Sequence, residues 1–466
     1  TLSLHDALPI FMKEYIINNV EEIREELIDL SKKIWENPEL AFEEKYASSI
    51  QKEYLKSKGF KIEEVENLPT GFIASFGEGK PVIGILGEYD ALPELSQCVS
   101  AERKPLVEGK AGHGCGHNLL GVAGVGAVVS IKKLIEENKF NGTIKYFGCP
   151  AEEEGGGKTV MCINGCFDDV DCAFTWHPFD INAPWRGGSL ANLSVKFKFK
   201  GITAHAAQAP HNGRSALDAV EIMNVGANYL REHVIDSIRM HYVITNGGGR
   251  PNVVPGFAES WYFIRGKKAK DAEHVLDRLI KVAQGAAMMT ETEMEYKVTD
   301  GIYDYIPNQC LTDLVYDNMV FVGCPKNTPE EEEFAKKLCD TLTREERLGV
   351  ATSLQNDKSI VESYIHKEIV DGDKDKGLAG STDVGDVSYV IPVAQFAMAA
   401  WPVGIASHTW QSCSSAGSNI GFSAMINSAK VLACSAYDVF MDTKIIDEAK
   451  IEFDKSLDGQ KFKPLV

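Results

Sequence analysis

The densest group of residues that could do chemistry is the segment from His113 to Asn118, which reads HGCGHN. It places two imidazoles and one thiol within five positions and separates them with glycines. Glycine permits sharp backbone bends, so Cys115 and His117 can converge on one point. Thiolate and imidazole are ligands that zinc prefers. Taken alone, the segment could also be a flexible loop with incidental histidines.

Further candidate ligands follow two predicted strands, over 143–149 and 171–176, and another lies in a loop near the end of the sequence. They are the acidic run Glu152–Glu154, His177 and His408. Open α/β sheets place their sites at the carboxyl ends of strands. Each group alone has an ordinary interpretation, a solvated loop or a structural histidine. Together they predict a divalent-metal site in which one carboxylate ligates and its neighbour acts as general base on a metal-activated water.

The elements that must position these residues are indicated by apolar periodicity. Apolar residues recur three or four apart from Ile16 to Ile34, which predicts a helix that stops at Asn37-Pro38. Predicted strands then alternate with predicted helices. The helices are predicted over 43–58, 119–137 and 416–441, and the strands over 82–86, 143–149, 171–176 and 393–400. This order predicts an α/β fold with a mostly parallel central sheet flanked by helices.

The pattern changes near residue 188. From Leu193 to Phe199, apolar residues alternate with Ser and Lys, which is typical of a half-solvated strand. We therefore expect a smaller α+β domain over 188–303, inserted into a catalytic domain formed by 12–187 plus 304–466. The first eleven residues have no clear period, and we expect them to be non-native or disordered.

Composition narrows the classes of partner. The 466 residues carry 48 Lys and Arg against 67 Asp and Glu, a net charge of −19. Such acidity disfavours nucleic acid and anionic membranes as partners. We find no apolar stretch near the ~18 residues that a membrane span needs. The 11 cysteines are an odd number, and no signal peptide is recognised, so we expect a reduced, cytoplasmic protein.

The order of several motifs resembles a known family. The motifs are GHGCGHN, PAEEEGGGK, WHP, GITAHAAQAPHNGRSALDAVE, PNVVP, GSTDVGDVS and HTWQ. This order resembles the co-catalytic metallopeptidases, which include aminoacylase, carboxypeptidase G, hippurate hydrolase and plant auxin-amide hydrolases. Within that family the chain is most similar to amidohydrolases like the B-type subunit of p-aminobenzoyl-glutamate hydrolase. The resemblance spans essentially the whole chain after Met12.

The resemblance implies an amidohydrolase with two divalent ions per chain, Zn or Mn, and a homodimer formed through the inserted lid domain. It implies that Glu152 is the catalytic carboxylate and that His205 in the lid reaches a neighbouring subunit's site. The metal ligands that it implies are Cys115, His117, Glu153, His177 and His408.

Other assignments are less specific. Asn252 matches a substrate-facing position of the family, and Arg265 could pair a substrate carboxylate, although a surface arginine explains it equally well. Glu154 replaces a small residue of the family pattern, so the base and ligand could instead be Glu153 and Glu154. Asp383 and Asp386 could orient ligand histidines or simply cap a loop.

The expected reaction is hydrolysis of the amide bond of N-acyl amino acids such as p-aminobenzoyl-glutamate. The alternative is a dipeptidase that uses the same site on small dipeptides, including those with a basic C-terminal residue. A metal-free pseudoenzyme that serves as a binding module is a third possibility, which the intact ligand set disfavours.

Overall fold

The computed structural model of the chain describes residues 4–154, 156–377 and 380–465. The chain divides into two compact units. Unit 2 consists of Ser189–Tyr305 with two short later segments, one ending at Asp386 and one beginning at Lys463, and unit 1 contains the rest. The predicted domain boundaries and the origin of the first eleven residues stay predictions. The first helix begins at Leu4.

The helices are distributed over both units, with α6, α7 and most of α11 in unit 2. Their bounds are α1 Leu4–Glu22, α2 Arg24–Glu36, α3 Lys45–Ser57, α4 His117–Glu136, α5 Gly157–Ile163, α6 Ala216–Leu230, α7 Ala269–Thr290, α8 Gln309–Val322, α9 Pro329–Cys339, α10 Arg344–Ala351, α11 Val384–Val387, α12 Trp410–Ala416, α13 Asn419–Met441 and α14 Lys444–Leu457.

The strands form two sheets. Their bounds are β1 Lys61–Val65, β2 Leu68–Glu78, β3 Val82–Glu88, β4 Gly142–Cys149, β5 Cys172–Phe179, β6 Ala183–Pro184, β7 Ala191–Lys200, β8 Arg239–Asn246, β9 Phe257–Gly266, β10 Glu293–Ile302 and β11 Val393–Ala399.

The sheet of unit 1 has the strand order β1-β2-β4-β3-β5-β11-β6. Its four central strands, β4, β3, β5 and β11, are parallel to one another. The outer pairings, β1 with β2, β2 with β4 and β11 with β6, are antiparallel. The prediction of a mostly parallel sheet is therefore wrong, and the sheet is mixed. The cause is a hairpin turning at Asn67, whose φ is 57°, and a short return strand after β5.

The core of unit 1 lies where α4 and α13 pack against the sheet. All seven residues of β3 are buried, as are fifteen of the twenty residues of α4. Small residues let α4 lie close to the strands, because a Cβ on Gly124 would come within 2.9 Å of the Tyr146 ring.

The apolar character of α4 changes one expectation. By length and composition this helix could cross a membrane, so the expectation that no such stretch exists is wrong. Its burial in the core gives the physical reason for its apolar composition.

Unit 2 contains an antiparallel sheet with the order β10-β7-β9-β8 and the helices α6 and α7. The apolar residues of β7, including Val195 and Phe199, are buried in the core of this unit. Lys196 and Lys198 are half-buried and Lys200 is exposed, which confirms the predicted alternation in the second half of the strand.

Candidate active site

The loop before α4 brings a thiol and an imidazole to the buried end of the helix. Gly116 has a φ of 75° and caps α4, so Cys115 precedes the cap and His117 is the first helical residue. A Cβ on Gly116 would lie 3.0 Å from Pro178, which immediately follows His177. Glycine is therefore required both for the left-handed backbone and for the close approach.

Cys115, His117 and His177 form the first group of candidate ligands. Their donor atoms all lie within 4.8 Å of one another, and Cys115 Sγ is 3.5 Å from His177 Nε2. His177 Nδ1 lies 2.7 Å from the carbonyl oxygen of Pro178, which can only accept a hydrogen bond. His117 Nδ1 lies 2.9 Å from Asp90 Oδ1. In both rings Nδ1 is committed, which leaves Nε2 for a metal, as metal-binding histidines usually arrange.

Glu153 and His408 join Cys115 in a second group. Glu153 Oε1 lies 3.3 Å from His408 Nε2. The backbone N–H of His408 donates to the Gly114 carbonyl oxygen at 2.9 Å, which ties the late loop to the Cys115 loop. Both loops thus present their side chains to one place.

Two buried carboxylates hold the turn that carries the acidic run. It begins at Ala151, whose φ of 57° is left-handed. The Ala151 N–H donates to Glu44 Oε1 at 2.8 Å, and the Glu153 N–H donates to Asp90 Oδ2 at 2.9 Å. Asp90 therefore holds both His117 and the turn of Glu153.

Glu88, His117 and Glu152 form a third group. Glu88 Oε2 lies 3.2 Å from His117 Nε2, and Glu88 Oε1 lies 2.6 Å from Lys158 Nζ. The sequence motifs did not single out Glu88 or Asp90, and Lys158 was only the last residue of PAEEEGGGK, without an assigned role. The signal for the two acids was present, because they follow the predicted strand 82–86 just as Glu152 follows its strand.

Burial is the main cause of the pKa shifts of Cys115, His177 and His113. Burial raises the pKa of the Cys115 thiol well above its usual value, so a thiolate here requires a neighbouring metal cation. Burial, followed by the nearby His117, lowers the pKa of His177 to about 4, which keeps that imidazole neutral. Burial also lowers the pKa of His113 to about 3. His113 belongs to none of the three ligand groups found among the described residues.

The donor set fits divalent metal ions. Sulfur, imidazole nitrogen and carboxylate oxygen converge, which suits borderline cations such as zinc. His117 Nε2 and Glu88 Oε2 are buried atoms without a hydrogen-bond partner among the described residues. The first two groups share Cys115, and the first and third share His117, so they describe adjacent positions rather than separate sites.

The remaining predicted site residues belong to unit 2. The exposed His205 accepts hydrogen bonds at Nδ1 from the backbone N–H groups of Ala207 and Gln208, at 3.3 and 3.1 Å, so its neutral ring carries the proton on Nε2. The carbonyl oxygen of Asn252 accepts from the N–H of Ala206 at 3.0 Å, which brings Asn252 next to the His205 turn.

Arg265 and the two aspartates have other surroundings. Arg265 is half-buried, and its Nη1 donates to Ser381 Oγ at 3.0 Å. Asp383 and Asp386 are buried and lie in a later segment of unit 2. In unit 1 the groups that hold the ligand histidines are Asp90 and the Pro178 carbonyl.

Comparison with known proteins places this site in context. Residues 189–288 match the family model of the peptidase dimerisation domain of the M20 peptidases. The chain is 42% identical to the B-type subunit of p-aminobenzoyl-glutamate hydrolase from Escherichia coli, over 96% of both chains. It is 28% identical to the Xaa-Arg dipeptidase of Mus musculus, over 95% of this chain and 92% of that protein.

The fold agrees with these matches. A dinuclear metal-binding peptidase of the M20 family from Bacillus subtilis superposes with a TM-score of 0.60 at 18% identity, covering 90% of this chain and 99% of that one. An aminobenzoyl-glutamate utilization protein from Klebsiella pneumoniae gives 0.62 at 17% identity, covering 89% and 96%. From the similarity along its length and the matching fold, the chain belongs to the M20 peptidase family of amide-bond hydrolases.

Proposed function

We propose that this hydrolase cleaves N-acyl amino acids such as p-aminobenzoyl-glutamate, using two divalent ions per chain, either Zn or Mn. The observation that carries the proposal is the convergence of Cys115, His117, His177, Glu153 and His408 beside a further carboxylate, Glu152. The relative named for this substrate, at 42% identity, supports the choice of acyl-glutamates.

The roles of the chain's own residues follow from their places. The bound metal ions would supply Lewis acidity, which activates a water molecule and polarises the substrate carbonyl. Glu152 accepts the proton of the attacking water and returns it to the leaving amine. Glu153, whose carboxylate faces His408, is the ligand of the acidic pair. Glu154 is exposed and lies in none of the three ligand groups of described residues. This supports Glu152 as the base and Glu153 as the ligand, rather than Glu153 as the base and Glu154 as the ligand.

His205 completes the proposal from unit 2. Because its Nδ1 accepts from two backbone N–H groups, its Nε2–H is directed outward as a donor. Such a donor stabilises the oxyanion that forms during acyl transfer. We propose that it acts in the site of a second identical chain, and the match of residues 189–288 to a dimerisation domain supports this. Asn252 and Arg265 then bind substrate from the same unit.

A dipeptidase is the second candidate. The 28% identical Xaa-Arg dipeptidase supports it. A cavity of about 540 Å³ beside His408 is lined by Trp410 and Arg103 and also by Glu94 and Glu108. The first pair suits an aromatic acyl group and a carboxylate, whereas the two acids suit a basic side chain.

A hydrolysis screen decides between these functions. Chelated protein is reloaded with Zn²⁺ or Mn²⁺ and given p-aminobenzoyl-glutamate, other N-acyl amino acids and dipeptides ending in arginine. We expect the acyl-glutamates to have the highest kcat/KM. Preference for the arginine dipeptides would support the second candidate, and inactivity of the metal-loaded protein on every substrate would support a pseudoenzyme.

We also propose a cytoplasmic location. All eleven cysteines lie in the part of the chain that the structure describes, and no disulfide joins them there, which supports a reducing compartment.

A further inference from the structure

Glu88 is a buried carboxylate for which the mechanism above has no use. It is the last residue of β3, and its side chain is 2% exposed. Its Oε1 lies 2.6 Å from the Nζ of Lys158, whose side chain is 0% exposed. Lys158 therefore occupies one oxygen of the carboxylate and leaves Oε2 available for another partner.

That other oxygen lies close to an imidazole nitrogen. Glu88 Oε2 and His117 Nε2 are 3.2 Å apart, and neither atom makes a hydrogen bond among the described residues. His117 Nδ1 is committed to Asp90. A metal ion binds the neutral ring, whose proton is then on Nδ1, so that Nε2 and Glu88 Oε2 both present lone pairs to one cation. Two ligands of one ion, each ~2.1 Å from it, are roughly 3.0–3.4 Å apart.

The negative charge of the site also favours a bound cation. Four carboxylates cluster here: Glu88, Asp90, Glu152 and Glu153. Uncompensated charge in such a buried place is costly. Lys158 balances only one of these four negative charges, so the cluster favours bound cations.

We propose that Glu88 is a further protein ligand of the metal centre, binding through Oε2 the same ion that His117 binds. The inference builds on the proposed function, because it assumes that the site holds metal. It adds a carboxylate to the ligand set and assigns Lys158 to the oxygen that the metal does not use.

The test separates a ligand from a structural ion-pair partner. In the double variant E88Q/K158M the carboxylate is lost, but no unpaired buried lysine is left behind. The variant E88D keeps the charge opposite Lys158 and retracts the oxygen by one methylene. The matched control is D171N, because Asp171 also pairs with lysines, Lys80 and Lys450, but precedes β5 at the opposite end of the parallel strands.

The readouts are the number and affinity of bound Zn²⁺ ions, measured by calorimetry and by elemental analysis after dialysis, without substrate. We expect two ions in the wild type and D171N. In E88Q/K158M we expect one tight ion and a second whose Kd rises at least about 100-fold, above the 10–100-fold typical of groups that only support a ligand. For E88D we expect about a 10-fold rise.

Wild-type affinity for both ions in a folded E88Q/K158M would overturn the inference. If circular dichroism shows that the double variant does not fold, E88D decides alone, and unchanged affinity there overturns it. Failure of the proposed function can be distinguished from failure of this inference. If the protein binds two ions in a Glu88-dependent way but hydrolyses no amide, only the proposed function is refuted. If the wild type binds no ion, both the proposed function and the inference are refuted.

Discussion

Cys115 Sγ and His177 Nε2 lie 3.5 Å apart, although 62 positions separate the two residues along the chain. Ligands of one tetrahedral zinc, at about 2.3 Å for sulfur and about 2.1 Å for nitrogen, have nearly this spacing. The parallel pairing of β3 with β5 brings the ends of the two strands together, and the Gly116 cap turns Cys115 toward them.

Metal content is the first prediction. Five candidate ligands exceed what one tetrahedral structural ion needs, so we expect two ions per chain at saturation. Chelation should abolish activity, and titration with Zn²⁺ or Mn²⁺ should restore it. Because Cys115 must lose a proton to bind, metal affinity should fall as the pH is lowered. Full activity in metal-free protein would contradict this prediction.

The roles of the adjacent acids give the second prediction. Glu152→Gln keeps the size of the side chain but cannot accept a proton, so we expect kcat to fall by ~10²–10⁴ with metal content near wild type. Glu153→Gln should instead lose metal, because Glu153 faces His408. Glu154→Gln is the control, since Glu154 is exposed, and it should change neither quantity. Loss of turnover in Glu154→Gln would shift the assignment by one residue.

The third prediction concerns His205 and the assembly. His205→Ala should lower kcat by ~10²–10³, as loss of an oxyanion donor does. If the site is shared between two copies, unfolding Glu152→Gln and His205→Ala and refolding them together should recover activity. Random pairing makes about half the dimers mixed, and each mixed dimer has one intact site, so about a quarter of wild-type activity is expected.

The control for this experiment is each variant refolded alone. The two variants carry different affinity tags, so that purification through both tags in turn verifies the mixed dimers. An inactive mixture that demonstrably contains mixed dimers would mean that His205 acts within its own chain or not at all.

The fourth prediction is a pH dependence of stability from Asp180. This carboxyl is buried, accepts the Gly404 N–H at 2.8 Å through Oδ2, and makes no hydrogen bond through Oδ1 among the described residues. Burial raises its pKa to about 7. In the unfolded chain the pKa is about 3.9, so between these values the unfolded chain releases a proton that the folded chain retains.

The stability that Asp180 contributes is therefore complete below pH ~4 and is lost as the pH rises through ~7. Asp180→Asn cannot ionise, so relative to wild type it should gain about 2–3 kcal/mol of unfolding free energy between pH 5 and pH 8. The midpoint of urea-induced unfolding of the metal-free protein measures this. A difference between variant and wild type that is the same at both pH values would refute it.

The sequence predicted the fold where one physical signal dominated. The continuous apolar run of β3 and the alternation in β7 identified those strands. The hairpin of β1 and β2 was missed because Lys61–Val65 is mostly polar and Leu68–Glu78 contains proline and glycine. Periodicity cannot detect such edge strands, so the sheet was expected to be more parallel than it is.

The sequence predicts those site residues whose type alone indicates metal binding or catalysis. Histidine, cysteine and a run of acids are conspicuous in a sequence, whereas Glu88 and Asp90 are two common acids at the end of a strand. Their importance depends on what they face, namely His117 and Lys158. In the sequence, Lys158 is one lysine after three glycines, and nothing local indicates that its charge is buried.

The position of β11 in the sheet has a consequence for folding during translation. β5 is complete at Phe179, but its parallel neighbour β11 begins only at Val393, beyond the main segment of unit 2. At ~5–20 residues per second, a ribosome needs roughly 10–40 s to deliver it. During that interval β5, a strand buried along nearly its whole length, has an open edge that could pair with another nascent chain. His408 emerges later still, so the metal centre can close only after both β11 and the loop of His408 have been made.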